Sequence, residues 1–452
     1  MLNLNHLKNL YTNSPEWVKN LYASIPYDIR NGKEYRKWKT FLEKNLNKEE
    51  YQLLKLKETL LYAYENSDYY KKVFQNLDCN PLDVNTVQDL NKFPLIDKDI
   101  VRENYDDIKV KNYPRKDSFF VTTGGSTGEP MKFLQSKNVW GKEVAFVNNY
   151  FKSLGYTPKD LKASFRGGEF DKIKNNQFWK RNPINNELHF SPFHINSDNI
   201  HYYVEELNRT KVKFFHTYPS GIIALIDNMK NEDLKLNYQV QGIFLISENF
   251  TKNDINYIKD YFDCEVSAFF GHSERLIFAP LNTISHDSYQ INQYYGLAEL
   301  ISESKKLIIT EGIKGELVGT SFDNYAMPLI RYRTGDYSSY QDYRKQKINL
   351  IEGRWDNDYI SGKNGLQLTL TALNMHSNIF KNCMNFQFFQ KEVGKVELLI
   401  VPKKEFNEND KYNIIQALNK KAGHAIKFTI KTVSSVQLTK RGKMKKLIKE
   451  IE

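Results

Sequence analysis

The chain runs to 452 residues with a formal net charge of +11, its 65 basic residues set against 54 acidic ones. Its hydrophobic content of 40%, with 29 tyrosines and 28 phenylalanines, supplies enough apolar mass for a folded core and excludes an intrinsically disordered chain. The basic residues are spread rather than blocked, and neither zinc-finger spacing nor an RNP-like run accompanies them, so nucleic acid is not expected as a partner.

A chain of this length exceeds one cooperative core, so two or three subdomains are expected. Cys79, Cys264 and Cys383 are widely separated and form no CxxC pair, which fits a reducing compartment and neither a disulfide scaffold nor a zinc site. The opening MLNLNHLKNLYTNSPEW lacks the continuous apolar stretch of a signal peptide. No window approaches the roughly 18 apolar residues of a membrane span. A cytoplasmic protein is expected, with aromatics and lysines that leave peripheral attachment at the inner membrane face open. The composition is compatible with a monomer or a homodimer.

In chain order, NKEEYQLLKLKETLLYAYENS places leucines at helical spacing among Lys and Glu. A short helix is expected to open near Asp97. An apolar strand at 119–122 and a second strand in MKFLQS flank the glycine-rich run TTGGSTGEP, predicting a hairpin with a long glycine loop. VWGKEVAFVNNYFKSLG predicts a helix ending at Gly155. Strands and helices then alternate: VKFFHTY, PSGIIALIDNMK, YQVQGIFLIS, FTKNDINYIKDYF and CEVSAFF. That alternation predicts a mostly parallel sheet covered by helices, with sites beyond the strand C-termini. Ser247-Glu248 and His272-Ser273-Glu274 stand at two such ends.

From about residue 290 the texture shortens to QINQYYGLAELI, KKLIITEG and GELVGTSF, predicting a smaller antiparallel subdomain that ends with LIRYRTGDYSSY. IEGRWDNDYISGKNG has linker composition. Beyond it KVELLIVP, YNIIQALNKKAG and FTIKTVSS predict a small α/β unit with a basic tail.

Five short motifs carry chemistry only in combination. TTGGSTG fits neither a Walker A loop nor a dinucleotide fingerprint, because Glu129 stands where lysine is required and the glycine spacing is wrong. Its backbone N–H groups and hydroxyls still suit an anion, although the same run also suits an ordinary turn. In FFGHSERL, Glu274 suits Mg²⁺ and His272 suits a substrate contact; a surface Glu with a locally bonded His is the plain alternative. In MPLIRYRTGDYS, Asp336 can accept ribose hydroxyls, and Arg331 and Arg333 alternate on one strand face; a solvated turn is the alternative. GRWDND and RGKMKK read as a polar linker and a basic tail, or as a phosphate-approaching Arg354 and a charge-neutralising Lys443.

In that order the five motifs, together with YPSG at 218–221 and LISE at 245–248, resemble the adenylate-forming enzymes. Within them the chain is most similar to the phenylacetate–CoA ligase branch and its capsular-polysaccharide proteins, from about Asn66 onward. The resemblance implies an α/β fold with a large N-terminal ATP- and substrate-binding domain (1–352), a hinge linker (353–365) near Asp356, and a mobile C-terminal lid (366–452). It implies ATP and Mg²⁺ as cofactors, with CoA an option, and two half-reactions through an acyl-adenylate. Thr122, Thr123, Gly124, Gly125, Ser126, Thr127 and Gly128 would cradle phosphates. Phe270, Gly271 and Ser273 would lie along the adenine or acyl pocket, Glu274 would hold Mg²⁺, Asp336 and Arg354 would bind ribose, and Lys443 would act in adenylation alongside Glu274 and His272.

The chain departs from the family pattern at Glu129, which adds negative charge beside the phosphate loop, and at GRWDND in the hinge. The polar stretch 165–201 suggests a polar substrate, such as an amino or uronic acid, rather than a long fatty acid. A small carboxylate joined to an amine, hydroxyl or thiol acceptor, on a nucleotide sugar or lipid-linked glycan, is the leading expectation. An aryl-CoA ligase and a non-catalytic scaffold are the alternatives.

Overall fold

The computed structural model describes residues 14–44, 46–122, 131–166, 175–248, 250–351, 359–370, 373, 378–434, 436–437 and 447–451. The chain divides into two compact units. One comprises Met1–Thr123, Met131–Pro158 and Ser267–Arg354; the other comprises Gly124–Pro130, Lys159–Val266 and Trp355–Glu452.

In the first unit, the helix Lys48–Asn66 starts where the Asn47 side chain accepts from the N–H groups of Glu49 and Glu50 at 3.0 and 3.3 Å. Its buried residues Gln52, Leu56, Thr59, Leu60 and Ala63 repeat at helical spacing, so a single face meets the core. The expected short helix is Lys98–Glu103, and Asp97 caps it by accepting from Asp99 and Ile100, both at 3.0 Å. The expected hairpin forms between Ser118–Thr122 and Lys132–Ser136, closing at the Thr122–Lys132 pair. The helix Lys137–Lys152 follows directly and adds Ala145 and Phe146 to an aromatic cluster with Tyr35, Trp38, Phe278, Tyr294 and Tyr295.

An antiparallel five-stranded sheet completes this unit in the order Ser288–Gln290, Lys347–Asn349, Tyr332–Asp342, Lys314–Ser321, Gly296–Ile301. The strand expected in KKLIITEG is reduced to two isolated bridges, Leu307 to Ile301 and Glu311 to Tyr340. Lys305, at φ +63°, turns the chain just before the first of them. The segment after His272 is pressed onto this sheet through two glycines. A Cβ on Gly296 would lie 2.0 Å from the Leu276 carbonyl oxygen, and one on Gly319 would lie 2.6 Å from the Leu276 Cβ. Only bare backbone admits so close an approach.

The second unit contains the expected parallel sheet. Glu187–Phe190, Lys162–Phe165, Phe214–Thr217 and Gly242–Leu245 run parallel in that order, with Trp179–Asn182 antiparallel at the edge. Helices Ile200–Thr210, Pro219–Asn231 and Lys252–Phe262 connect or follow its strands. The C-terminal α+β part of the same unit has a four-stranded sheet in the order Lys427–Thr432, Lys395–Pro402, Cys383–Glu392, Leu447–Lys449. Its helix Glu408–Ala422 opens with a capping box between Asn407 and Asp410. Leu398, Ile400, Ile414 and Leu418 are among its buried core residues. The fold is therefore α/β, with parallel and antiparallel sheets and a smaller C-terminal α+β part. No helix among the described residues is long and apolar enough to cross a membrane.

One face of the parallel sheet is polar. Arg166 donates to the buried Glu187 carboxylate at 2.8 and 3.1 Å, and Asn182 donates to it at 3.2 Å. Ser164 and His189 share a hydrogen bond of 2.9 Å, as do Ser191 and His194 at 2.7 Å. Much of the polarity of the 165–201 stretch is thus consumed by internal pairing, so its composition does not by itself indicate a polar substrate. Burial alone would raise the Glu187 carboxyl, but Arg166 and Lys162 outweigh it and hold the group down at about 2. Burial likewise pushes the His189 imidazole down to about 4 against the opposing pull of Glu187.

A histidine held neutral in the fold takes up a proton more readily once unfolded, so its share of stability is complete above the unfolded value and drains away on acidification. Unfolding free energy is therefore expected to fall between pH ~6.5 and ~4, by about 3 kcal/mol for His189. Urea titrations across that range check this, and His189→Gln should flatten the slope. The Glu187 contribution, from a lowered carboxyl, is lost as pH falls from about 4.5 toward about 2.

Candidate active site

The end of the Glu265–Gly271 strand and the turn after it bring Phe270, Gly271, His272, Ser273 and Glu274 together. The strand is held by antiparallel pairing with Phe278–Pro280. Within the turn, the Arg275 N–H donates to the His272 carbonyl at 3.0 Å. Arg275 itself sits at φ +54°, a left-handed conformation that costs a non-glycine residue energy and recurs at functional turns.

Two side chains absent from the sequence reading clamp this turn. Gln135, fully buried on the second hairpin strand, donates to the Ser273 carbonyl at 2.8 Å and accepts from the Arg275 guanidinium. Trp140 lies under that guanidinium at 4.8 Å. Gln135 thereby ties the strand that follows the glycine run to the turn carrying Glu274. A glutamine among Met131, Phe133 and Leu134 was the one available signal, since a buried amide needs partners.

Glu274 is buried, and Tyr332 donates its phenol to the carboxylate at 3.1 Å. Tyr332 opens the strand that carries Asp336. Asp336 is presented by a β-bulge. Arg333 pairs with Val318 and Tyr337 with Glu316, so Thr334, Gly335 and Asp336 together stand opposite Leu317 alone. Gly335 supplies φ +77° there and donates its N–H to Glu316 at 3.0 Å. The Thr334 hydroxyl donates to the Leu317 carbonyl at 2.8 Å and accepts from the Asp336 N–H at 3.1 Å.

The two arginines of this motif do not share a face. Arg331 takes φ +52° before the strand begins, which breaks the alternation, and its buried guanidinium pairs with Glu299. Arg333 instead reaches Glu316 on the neighbouring strand at 2.6 Å. Both are structural anchors of the Asp336 strand.

His272 is half-buried, and its ring packs against Phe270 with centroids 5.7 Å apart and planes at 30°. Burial pushes the imidazole down to about 4, against the pull of the Asp336 carboxylate. Neither ring nitrogen has a hydrogen-bond partner among the described residues. Glu274, His272, Phe270 and Asp336 are thus gathered within the first unit. Thr122 is placed only as the last residue of its hairpin strand. Thr123, Gly124, Gly125, Ser126, Thr127, Gly128 and Glu129, together with Arg354, Asp356 and Lys443, lie outside the described residues.

Comparison with known proteins matches residues 361–450 to the CapK C-terminal domain family. Over its length the chain is 26% identical to Protein CapK of Staphylococcus aureus, an alignment covering 99% of this chain and 100% of that protein. Along its length the chain resembles the adenylate-forming superfamily. Its class of chemistry is that of an AMP-forming, carboxylate-activating ligase. It is also 24% identical to a phenylacetate-coenzyme A ligase of Pseudomonas putida, over 64% of this chain and 65% of that enzyme. In fold it is similar to 2-hydroxyisobutyryl-CoA ligase solved with 2-HIB-AMP and CoA, with a TM-score of 0.60 at 16% identity over 89% of this chain and 90% of that one.

Proposed function

We propose that this adenylate-forming ligase activates a small carboxylate and passes the acyl group to an amine, hydroxyl or thiol in surface-polysaccharide biosynthesis. The observation that carries the site is the Tyr332 hydrogen bond, which couples buried Glu274 to the strand whose bulge presents Asp336. The end-to-end likeness to the S. aureus CapK protein supports the capsule setting.

In the first half-reaction a substrate carboxylate oxygen attacks the α-phosphorus of ATP. The α–β phosphoanhydride bond breaks and pyrophosphate leaves. In the second, the acceptor attacks the acyl carbonyl and expels AMP. Glu274 fits a Mg²⁺ ligand, because an oxygen donor fixed by Tyr332 suits a hard cation that fills its other positions with water and phosphate oxygens. Bound there, Mg²⁺ would offset phosphate charge. Asp336 would accept the ribose hydroxyls, with Arg354 beside it. Thr122 to Gly128 would donate to the polyphosphate, Phe270, Gly271 and Ser273 would line the pocket, and Lys443 would meet the negative charge that builds on the bridging oxygens. The linker near Asp356 would swing the C-terminal part between the two steps.

Pyrophosphate release with ATP, Mg²⁺ and pooled amino, aryl and uronic acids tests this reading; no release with any acid and no ATP binding would sink it. Lys443→Ala is expected to lower adenylation by about 10²-fold or more, while aminolysis or thiolysis of supplied acyl-adenylate falls much less. Equal loss of both steps would count against a role for Lys443 confined to the first. The likeness to phenylacetate-coenzyme A ligases favours a second reading, thioester formation, which CoA-dependent AMP release from phenylacetate would reveal. A lipid-linked glycan acceptor would place the enzyme at the inner membrane face.

A further inference from the structure

We propose that His272 reads a hydroxyl group on the carboxylate substrate, so that the enzyme prefers hydroxylated acids to their apolar counterparts. This rests on the adenylation reading and names the substrate class for the same site. Both His272 ring nitrogens are shut off from solvent without a hydrogen-bond partner among the described residues. Buried polar atoms left in that state are rare in native proteins, and those that persist often wait for a ligand or a bound water.

The turn around the ring is held in place. Phe270 packs against the ring. The Arg275 N–H holds the His272 carbonyl at 3.0 Å, and Gln135 holds the next carbonyl, that of Ser273, at 2.8 Å. The turn is therefore fixed from both sides around an imidazole whose nitrogens have no hydrogen-bond partner among the described residues. A neutral imidazole presents one donor and one acceptor, and a hydroxyl can meet either nitrogen in either tautomer. A methylene or methyl group meets neither, and its binding would leave both nitrogens stranded. Discrimination by unpaired polar groups is stronger than discrimination by shape.

The test uses the full chain, ATP and Mg²⁺, and acids differing in hydroxylation: mandelate against phenylacetate, and galacturonate against cyclohexanecarboxylate. Pyrophosphate release should favour the hydroxylated member of at least one pair by about 10-fold or more in kcat/KM, mainly through KM. His272→Phe keeps the ring contact with Phe270 and should bring that ratio close to one. His272→Gln, which retains a donor and an acceptor, should restore part of it. Equal or greater activity with the apolar members, or a ratio unchanged in His272→Phe, would overturn the proposal. Calorimetric ATP binding on the same preparations separates the two levels. ATP binding with release indifferent to the hydroxyl, or with none from any acid, defeats the hydroxyl reading alone. Absence of both ATP binding and release defeats the adenylation reading and this one with it.

Discussion

Glu274→Gln is expected to lower ATP-dependent pyrophosphate release by about 10²-fold or more while the protein stays folded. The substitution is nearly isosteric. Tyr332, which donates to the carboxylate at 3.1 Å, can donate to the amide oxygen in its place, so the link between the turn and the Tyr332–Asp342 strand survives. What disappears is the formal charge that would hold Mg²⁺. A neutral amide oxygen is a weaker partner for a hard divalent cation, so the Mg²⁺ concentration needed for half-maximal rate should rise as the maximal rate falls. Coupled pyrophosphate assays across a Mg²⁺ titration, beside thermal melts, measure both. A variant with the wild-type rate and Mg²⁺ requirement would show that Glu274 is only a packing carboxylate.

Arg331→Met should cost about 3–5 kcal/mol of folding stability, the largest structural effect expected in this chain. Arg331 is 2% exposed and Glu299 is 6% exposed. The guanidinium donates to Glu299 at 2.9 and 3.0 Å, to the Phe93 carbonyl at 2.7 Å and to Asn91 at 3.2 Å. Burial already raises the Glu299 carboxyl, and Arg331 is what opposes that shift. Truncating the arginine alone strands a carboxylate in the core and leaves the Phe93 carbonyl without this donor. Adding Glu299→Gln removes the stranded charge and should recover a substantial part of the loss. Urea unfolding of both single variants and the double variant gives the coupling; strict additivity would mean that the pair is energetically idle. Because Arg331 immediately precedes Tyr332, the single variant should also loosen the strand that joins Glu274 to Asp336.

Local order was legible in the sequence because it has local causes. Leucine spacing marked the helix after Asn47, Asp97 announced its own capping role, and the alternation from Val212 onward foretold the parallel strands. The ordering of the short motifs identified the superfamily, although each one alone suited a plain turn. Partnerships across the chain were not legible. Glu299 and Arg331 lie 32 positions apart, Gln135 and Ser273 lie 138 apart, and nothing in either neighbourhood names the other. The polar stretch 165–201 misled for the same reason, since composition cannot say whether an arginine faces a ligand or Glu187. The reading of Arg331 and Arg333 as one face failed on a single dihedral, because a left-handed residue resets the alternation on which such readings depend.

The bulge at Thr334–Asp336 has a consequence in parity. Four residues advance the strand from Arg333 to Tyr337 while its neighbour advances two, from Val318 to Glu316, so the surplus is an even number. Side chains alternate with a period of two. Tyr332 before the bulge and Ser338 and Tyr340 after it therefore remain on the same, buried side. An odd surplus would have turned Tyr340 out into water and Tyr337 into the core. The polar excursion that carries Asp336 is thus spliced into the ladder without altering the inward set on either side. The fold can hold, lose or reshape that excursion two residues at a time, which makes the segment carrying Asp336 a removable insert in a strand that packs by its own rule.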